Sequence, residues 1–145
     1  MAERLTGEPA GLARRLVAMV YDTLIIAAIL MIAGFSVLPF TGGKAVPAGT
    51  IWFELYLFFV IFAYVGWCQT HGGQTLGMLA WRLYATRDDG SWIGWRQAFL
   101  RYCLAWPSVL LGLLGVLWSA FDPARKALHE RFSGTRTLYA PNRPL

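Results

Sequence analysis

Seven charged side chains lie inside or beside long apolar stretches of this chain: Arg15, Asp22, Glu54, Arg101, Asp122, Arg125 and Glu130. A carboxylate among apolar neighbours costs several kcal/mol unless it meets a cation, a proton or water, so each acid here needs a physical account. Asp22 needs one most, because it interrupts the apolar run from Leu12 to Leu38. Arg15 precedes it by seven residues, which on a helix places both side chains on one face, about 10 Å apart along the axis. Two roles follow for Asp22. It can close a buried salt bridge with Arg15 or Arg101 that fixes helix register, or it can bind an ion or proton. For Asp122, followed by Pro123, the pattern is that of a helix N-cap and first helical position. Glu54 falls near the start of an apolar run, where water reaches it, and His71 and His129 read as surface histidines.

Signatures of catalysis are missing. His129-Glu130 begins a zinc-helix pattern, but the closing position is Ser133, and no nucleophile elbow, Walker loop or dinucleotide fingerprint occurs. Neither an enzymatic activity nor a cofactor is expected. Cys68 and Cys103 are too far apart to form a Cys-x-x-Cys pair, and they imply no disulfide framework or thiolate metal site.

The elements that must hold these charges are set by hydropathy. The chain has 145 residues, enough for one domain, and is 57% hydrophobic with only 14% charged residues; a soluble domain carries about 25%. The mean hydropathy is +0.47. Between Leu16 and Trp81 the only charges are Asp22, Lys44 and Glu54. Such a segment cannot form a water-facing surface, so the bilayer is the first partner. Ala13 to Leu38 reads as one crossing, closed by Pro39. Thr50 to Gln69 reads as a second, dense in aromatics, with Trp52 and Trp67 near the two headgroup boundaries. Alternation from Trp81 to Thr86 predicts a strand, and Asp88-Asp89-Gly90 a turn. Helical periodicity resumes at Gly94. The third apolar run, Tyr102 to Phe121, contains Pro107. If the tail returns to the starting side, every one of the 13 Lys and Arg residues except Lys44 lies on that side, as the positive-inside rule favours. The expectation is therefore a segment broken near Pro107. Beyond it, Ala124, Ala127, Leu128 and Phe132 predict the apolar face of a short amphipathic helix lying on the membrane and ended by Gly134, and Thr135 to Ala140 a second short strand.

Against this frame the chain resembles the RDD family of small bacterial and archaeal membrane proteins, named for an arginine at the start of the first span and two aspartates. Arg15 and Asp22, in the run Arg15-Leu16-Val17-Ala18-Met19-Val20-Tyr21-Asp22, match the arginine and the first aspartate. The likeness continues through Gly73-Gln74-Thr75-Leu76-Gly77, Arg82 to Gly90, and Asp122-Pro123 to Thr135, although Met78 stands where members often carry lysine. Members commonly show His-Asp-Arg where this chain has His129-Glu130-Arg131. The second aspartate therefore maps to Asp122, the preferred match, or to Glu130 as a longer substitute. Membership implies transport of an unidentified ligand, with cation/proton exchange proposed for some members.

The expectation is thus an all-α membrane protein with two full transmembrane helices, a broken third segment, a small cytoplasmic strand/turn element and a short C-terminal helix. Residues 11–140 form its single domain, with polar tails 1–10 and 141–145. The candidate ion or ligand residues are Arg15, Asp22, Arg101, Asp122 and Glu130. The expected setting is the bacterial or archaeal cytoplasmic membrane, N-terminus inside, as a homo-oligomer. The net charge of +5 fits anionic headgroups, and no nucleic-acid partner is expected. The alternative is a membrane anchor or assembly module whose Arg/Asp pairs are structural.

Overall fold

The computed structural model describes residues 5–111 and 114–142. Two long helices dominate it. Helix α1 spans Leu12–Val37 and runs into a 3-10 turn, Leu38–Thr41, that contains Pro39; helix α2 spans Ile51–His71. At 1.5 Å per residue these lengths correspond to about 39 and 32 Å, enough to cross the hydrocarbon of a bilayer. In each, the most apolar 18-residue window is only 11% buried within the protein. A core helix of a soluble protein would hide that surface. Here Leu24, Met31, Ile32 and Phe35 on α1 and Ile51, Leu55 and Phe59 on α2 stay exposed, in positions suited to lipid. Trp52 and Trp67, exposed near the two ends of α2, occupy the positions expected of boundary indoles.

The rest of the chain packs around one end of this pair. A one-turn helix α3, Leu76–Ala80, leads into strand β2, Leu83–Arg87; helix α4 covers Trp95–Leu110, α5 Leu114–Leu117, and α6 Leu128–Ser133, followed by strand β3, Thr135–Tyr139. A two-residue strand β1, Glu8–Pro9, precedes α1. The sheet order is β1-β3-β2, antiparallel throughout, with Pro9 opposite Leu138 and Tyr84 opposite Leu138 on the other edge. Both ends of the chain therefore meet in one sheet. The lead-in expected to be a polar tail joins the fold instead: Leu5 and Ala10 are buried, and Leu5 N–H donates to Gly90 O at 2.9 Å.

Helix α4 runs through Pro107 to Leu110, so the proline lies within the helix. Gly115 of α5 packs closely on Ser108 of α4, since a Cβ there would stand 2.1 Å from Ser108 Oγ. Aromatic rings join α4 to α2: Phe58 and Phe62 meet Tyr102 at centroid distances of 4.9 and 5.5 Å, and Tyr102 Oη donates to Phe58 O at 2.9 Å.

One expectation for the C-terminal helix is corrected. Asp122 does not cap it. Helix α6 starts at Leu128 with Ala127 as N-cap, because Arg125 takes a left-handed φ of 51° that a helix from Pro123 could not accommodate. On α6 Phe132 is 72% exposed, on a side open to lipid, whereas Ala127 and Glu130 are fully buried.

Candidate functional site

Two polar centres sit where the long helices meet the sheet. The first is built around Glu130. Its Oε1 accepts from Arg15 Nη1 at 2.8 Å and Arg101 Nη2 at 3.2 Å, and from the Thr137 hydroxyl. Its Oε2 reaches back to Ala127 N at 3.1 Å, tying off the first turn of α6. Arg15 also donates from Nε to Ala10 O at 3.1 Å and from Nη2 to Arg125 O at 2.8 Å. Arg101 donates from Nη1 to Thr135 Oγ1 at 3.1 Å and from Nη2 to Thr137 Oγ1 at 3.0 Å. Thr135 and Thr137 lie two apart on β3 and so share one face of the strand. Both arginines are nearly buried, at 6% and 7% exposure.

This network is a single acid shared by two guanidiniums, with most donors matched to fixed acceptors. Burial pushes the Glu130 carboxyl upward, but Arg101 and then Arg15 outweigh it and hold the group at about 2. Burial also lowers the neighbouring His129 imidazole, and the positive charge of Arg101 lowers it further, to about 3. Half-buried, with a buried Nδ1 that has no hydrogen-bond partner among the described residues, His129 is not the surface histidine expected.

Asp22 forms the second centre, apart from any cation among the described residues. Its Oδ2 accepts from Thr75 Oγ1 at 2.5 Å; its Oδ1 accepts from Gly77 N at 3.0 Å and Tyr64 Oη at 3.3 Å. Thr75 is the N-cap of α3, accepting from Met78 N at 3.3 Å while its own hydrogen goes to Asp22. Gly77 is required here by space: a Cβ would come within 2.3 Å of Ala18 O and 2.7 Å of Asp22 Cγ. The absent side chain lets α3 press its backbone against α1. Among the described residues, neutral donors alone thus hold a carboxylate about three turns into a lipid-facing helix.

The expected salt bridge between Asp22 and Arg15 or Arg101 is not formed, since both arginines turn to Glu130. Asp122 stands outside both centres. It accepts from Lys126 N at 3.0 Å and pairs with the exposed Arg131 at 3.3 Å, which closes the turn before α6. Glu54 accepts from Gly49 N at 3.0 Å on the exposed start of α2. Among the sequence candidates, then, Arg15, Arg101 and Glu130 come together, Asp22 lies nearby, and Asp122 does neither. The residues missed were Thr75, Tyr64, Thr135 and Thr137. The period-two spacing of the threonines was a signal for them, and the Gly-Gln-Thr-Leu-Gly run was a signal for Thr75.

Helices α1, α2 and α4 flank a partly open cavity of about 390 Å³ between the two centres, lined by Asp22 and Thr75 and also by Arg101 and Glu130. Much of its wall is apolar, including Ile26, Ile61 and Val65. Gln69, buried at 6% exposure, lines it too, and its Oε1 has no hydrogen-bond partner among the described residues.

Long, exposed apolar helices gathered around a buried polar end define a small helical membrane protein. Its long first helix is also an integral part of the fold, since Arg15 on that helix is locked to Glu130. The chain belongs to the RDD family, whose model matches residues 9–134, most of its length. No curated protein and no solved structure matches it.

Proposed function

We propose that this RDD protein takes part in moving an ion or small ligand across the cytoplasmic membrane, with exchange of a cation for a proton as the simplest case. The observation that carries this reading is Asp22: a carboxylate on a lipid-facing helix, held by Thr75, Tyr64 and Gly77 with no cation beside it among the described residues, and bordering a cavity. Neutral donors orient a carboxylate without cancelling its charge, which leaves it able to take a proton or a cation. Glu130, in contrast, is already matched by Arg15 and Arg101 and serves as a structural lock. Two crossing helices cannot wall off a pathway alone, so the working unit is a homo-oligomer.

In the proposed topology the third apolar segment re-enters, and both ends of the chain stay on the cytoplasmic side. The pairing of β1 with β3 supports this, as does the concentration of Lys and Arg everywhere but Lys44. The second reading, a membrane anchor with purely structural charges, draws on the thoroughly satisfied Arg15–Glu130–Arg101 network. Proteoliposomes loaded with a pH-sensitive dye separate the two. An imposed gradient of sodium, potassium or a small organic cation should drive proton movement through the transporter. If none of these gradients moves protons beyond the empty-vesicle leak, the exchange reading fails and the anchor stands.

A further inference from the structure

The cavity between α1, α2 and α4 carries more information than the presence of an acid. Its polar groups that lack a match among the described residues are Gln69 Oε1, buried at 6% residue exposure, and the Nδ1 of His129. The Asp22 carboxylate lines the same space. In contrast, Arg15 and Arg101 spend their donors on Glu130, backbone carbonyls and threonine hydroxyls. The lining charges balance, Arg15 and Arg101 against Asp22 and Glu130, but both arginines are turned to Glu130, so the groups left to a ligand are acceptors, with Asp22 the one carboxylate among them that no described cation pairs. Ile26, Ile61 and Val65 supply a wall that offers no ligand to a bare metal ion. An alkali ion stripped of water needs several oxygens around it, whereas an alkylammonium needs a few acceptors at one end and apolar contact along the rest.

We infer that the cavity between Asp22 and Gln69 binds a small organic cation, a primary ammonium on an apolar body, rather than a bare alkali ion. This rests on the transport reading for its physiological purpose but not for its test. The ammonium donates to Asp22 and to Gln69 Oε1, and the hydrocarbon lies along the isoleucine and valine side chains. The volume of about 390 Å³ lies within the range of small-molecule sites.

The test uses the full chain in nanodiscs of phosphatidylglycerol alone, which keeps lipid amines out of the assay. Titration with n-hexylammonium is followed by tryptophan fluorescence, with empty nanodiscs subtracted, and is repeated with n-hexanol and with sodium chloride. Saturable binding of the ammonium is expected. Hexanol, lacking the charge, should bind roughly tenfold or more weakly, as should the ammonium to Asp22→Asn, because each loses a charged hydrogen bond. Gln69→Leu, which removes the amide while keeping an apolar side chain of similar size, should weaken the ammonium and leave hexanol unchanged or improved. Equal binding of ammonium and alcohol by the wild-type protein would overturn the inference whether or not the variants fold. Saturable sodium binding that displaces the ammonium would overturn it as well while leaving transport standing. Cation-driven proton flux without any ammonium binding would do the same. Ammonium binding with no flux for any cation would retain the site and remove the transport reading.

Discussion

Replacing Glu130 by glutamine should be among the most destabilising single changes in the molecule. The amide keeps the shape of the side chain and one oxygen acceptor, but it removes the one negative charge shared by Arg15 and Arg101. Glu130 is fully buried, and both arginine side chains are no more than 9% exposed, so water cannot take over. Breaking a buried ion pair from one side typically costs about 3–5 kcal/mol, because the remaining charge stays desolvated. At roughly 3 °C per kcal/mol for a chain of this size, the melting temperature should fall on the order of 10 °C. The assay is thermal unfolding in detergent, followed by near-UV dichroism. Glu130→Asp, which keeps the charge but shortens the reach to the guanidiniums, should fall between wild type and Glu130→Gln. The double variant Arg15→Met with Glu130→Gln should cost less than the sum of its parts, since it removes one of the stranded cations. A Glu130→Gln protein melting within about 2 °C of wild type would refute the picture of a closed buried network.

Other consequences follow from the same contacts. Gly77→Ala places a methyl group against Ala18 O and the Asp22 carboxyl, at 2.3 and 2.7 Å; α3 must lift from α1, and a loss of about 1–3 kcal/mol in unfolding free energy is expected from denaturant titration. Acid should destabilise the protein in two stages. Both His129 and Glu130 have folded values below their ordinary ones of 6.5 and 4.5, so the unfolded chain binds more protons and stability declines as pH falls. The decline begins near 6.5 through His129 and steepens below 4.5 as Glu130 adds its share toward about 2. His129→Gln should flatten the upper stage in a plot of melting temperature against pH, and a wild-type protein that gains stability on acidification over this range would contradict the assignment.

Much of this architecture can be read from the residues. The two long helices begin and end within a residue or two of the limits set by hydropathy and Pro39, because an apolar run of that length has few alternatives in lipid. The alternation around Trp81 to Thr86 and after Gly134 gave both longer strands, since period two is a local signal. The pairing of charges was not local. Arg15 and Glu130 are 115 positions apart, and nothing in helical periodicity says that Arg15 turns toward α6 instead of toward Asp22, seven residues away on its own face. The C-terminal helix misled for a related reason. The pattern Ala124, Ala127, Leu128 and Phe132 assumes a helix already running at Pro123, but the left-handed Arg125, whose carbonyl is held by Arg15, delays it to Leu128. That shift presents Glu130 to the interior and Phe132 to the outside.

In the proposed reading two acids have separate tasks: Glu130 ties Arg15 and Arg101 into the fold, and Asp22 takes the cation or proton. Asparagine at position 22 fits the same space, with its oxygen still able to accept from Gly77 N–H and its amide able to donate to Thr75, whose hydroxyl then turns. The decisive measurement is therefore paired, with melting temperature and cation-driven proton flux recorded on one preparation of Asp22→Asn. The account predicts a protein that melts within a few degrees of wild type and has lost its flux. Flux equal to wild type from that folded variant would contradict it.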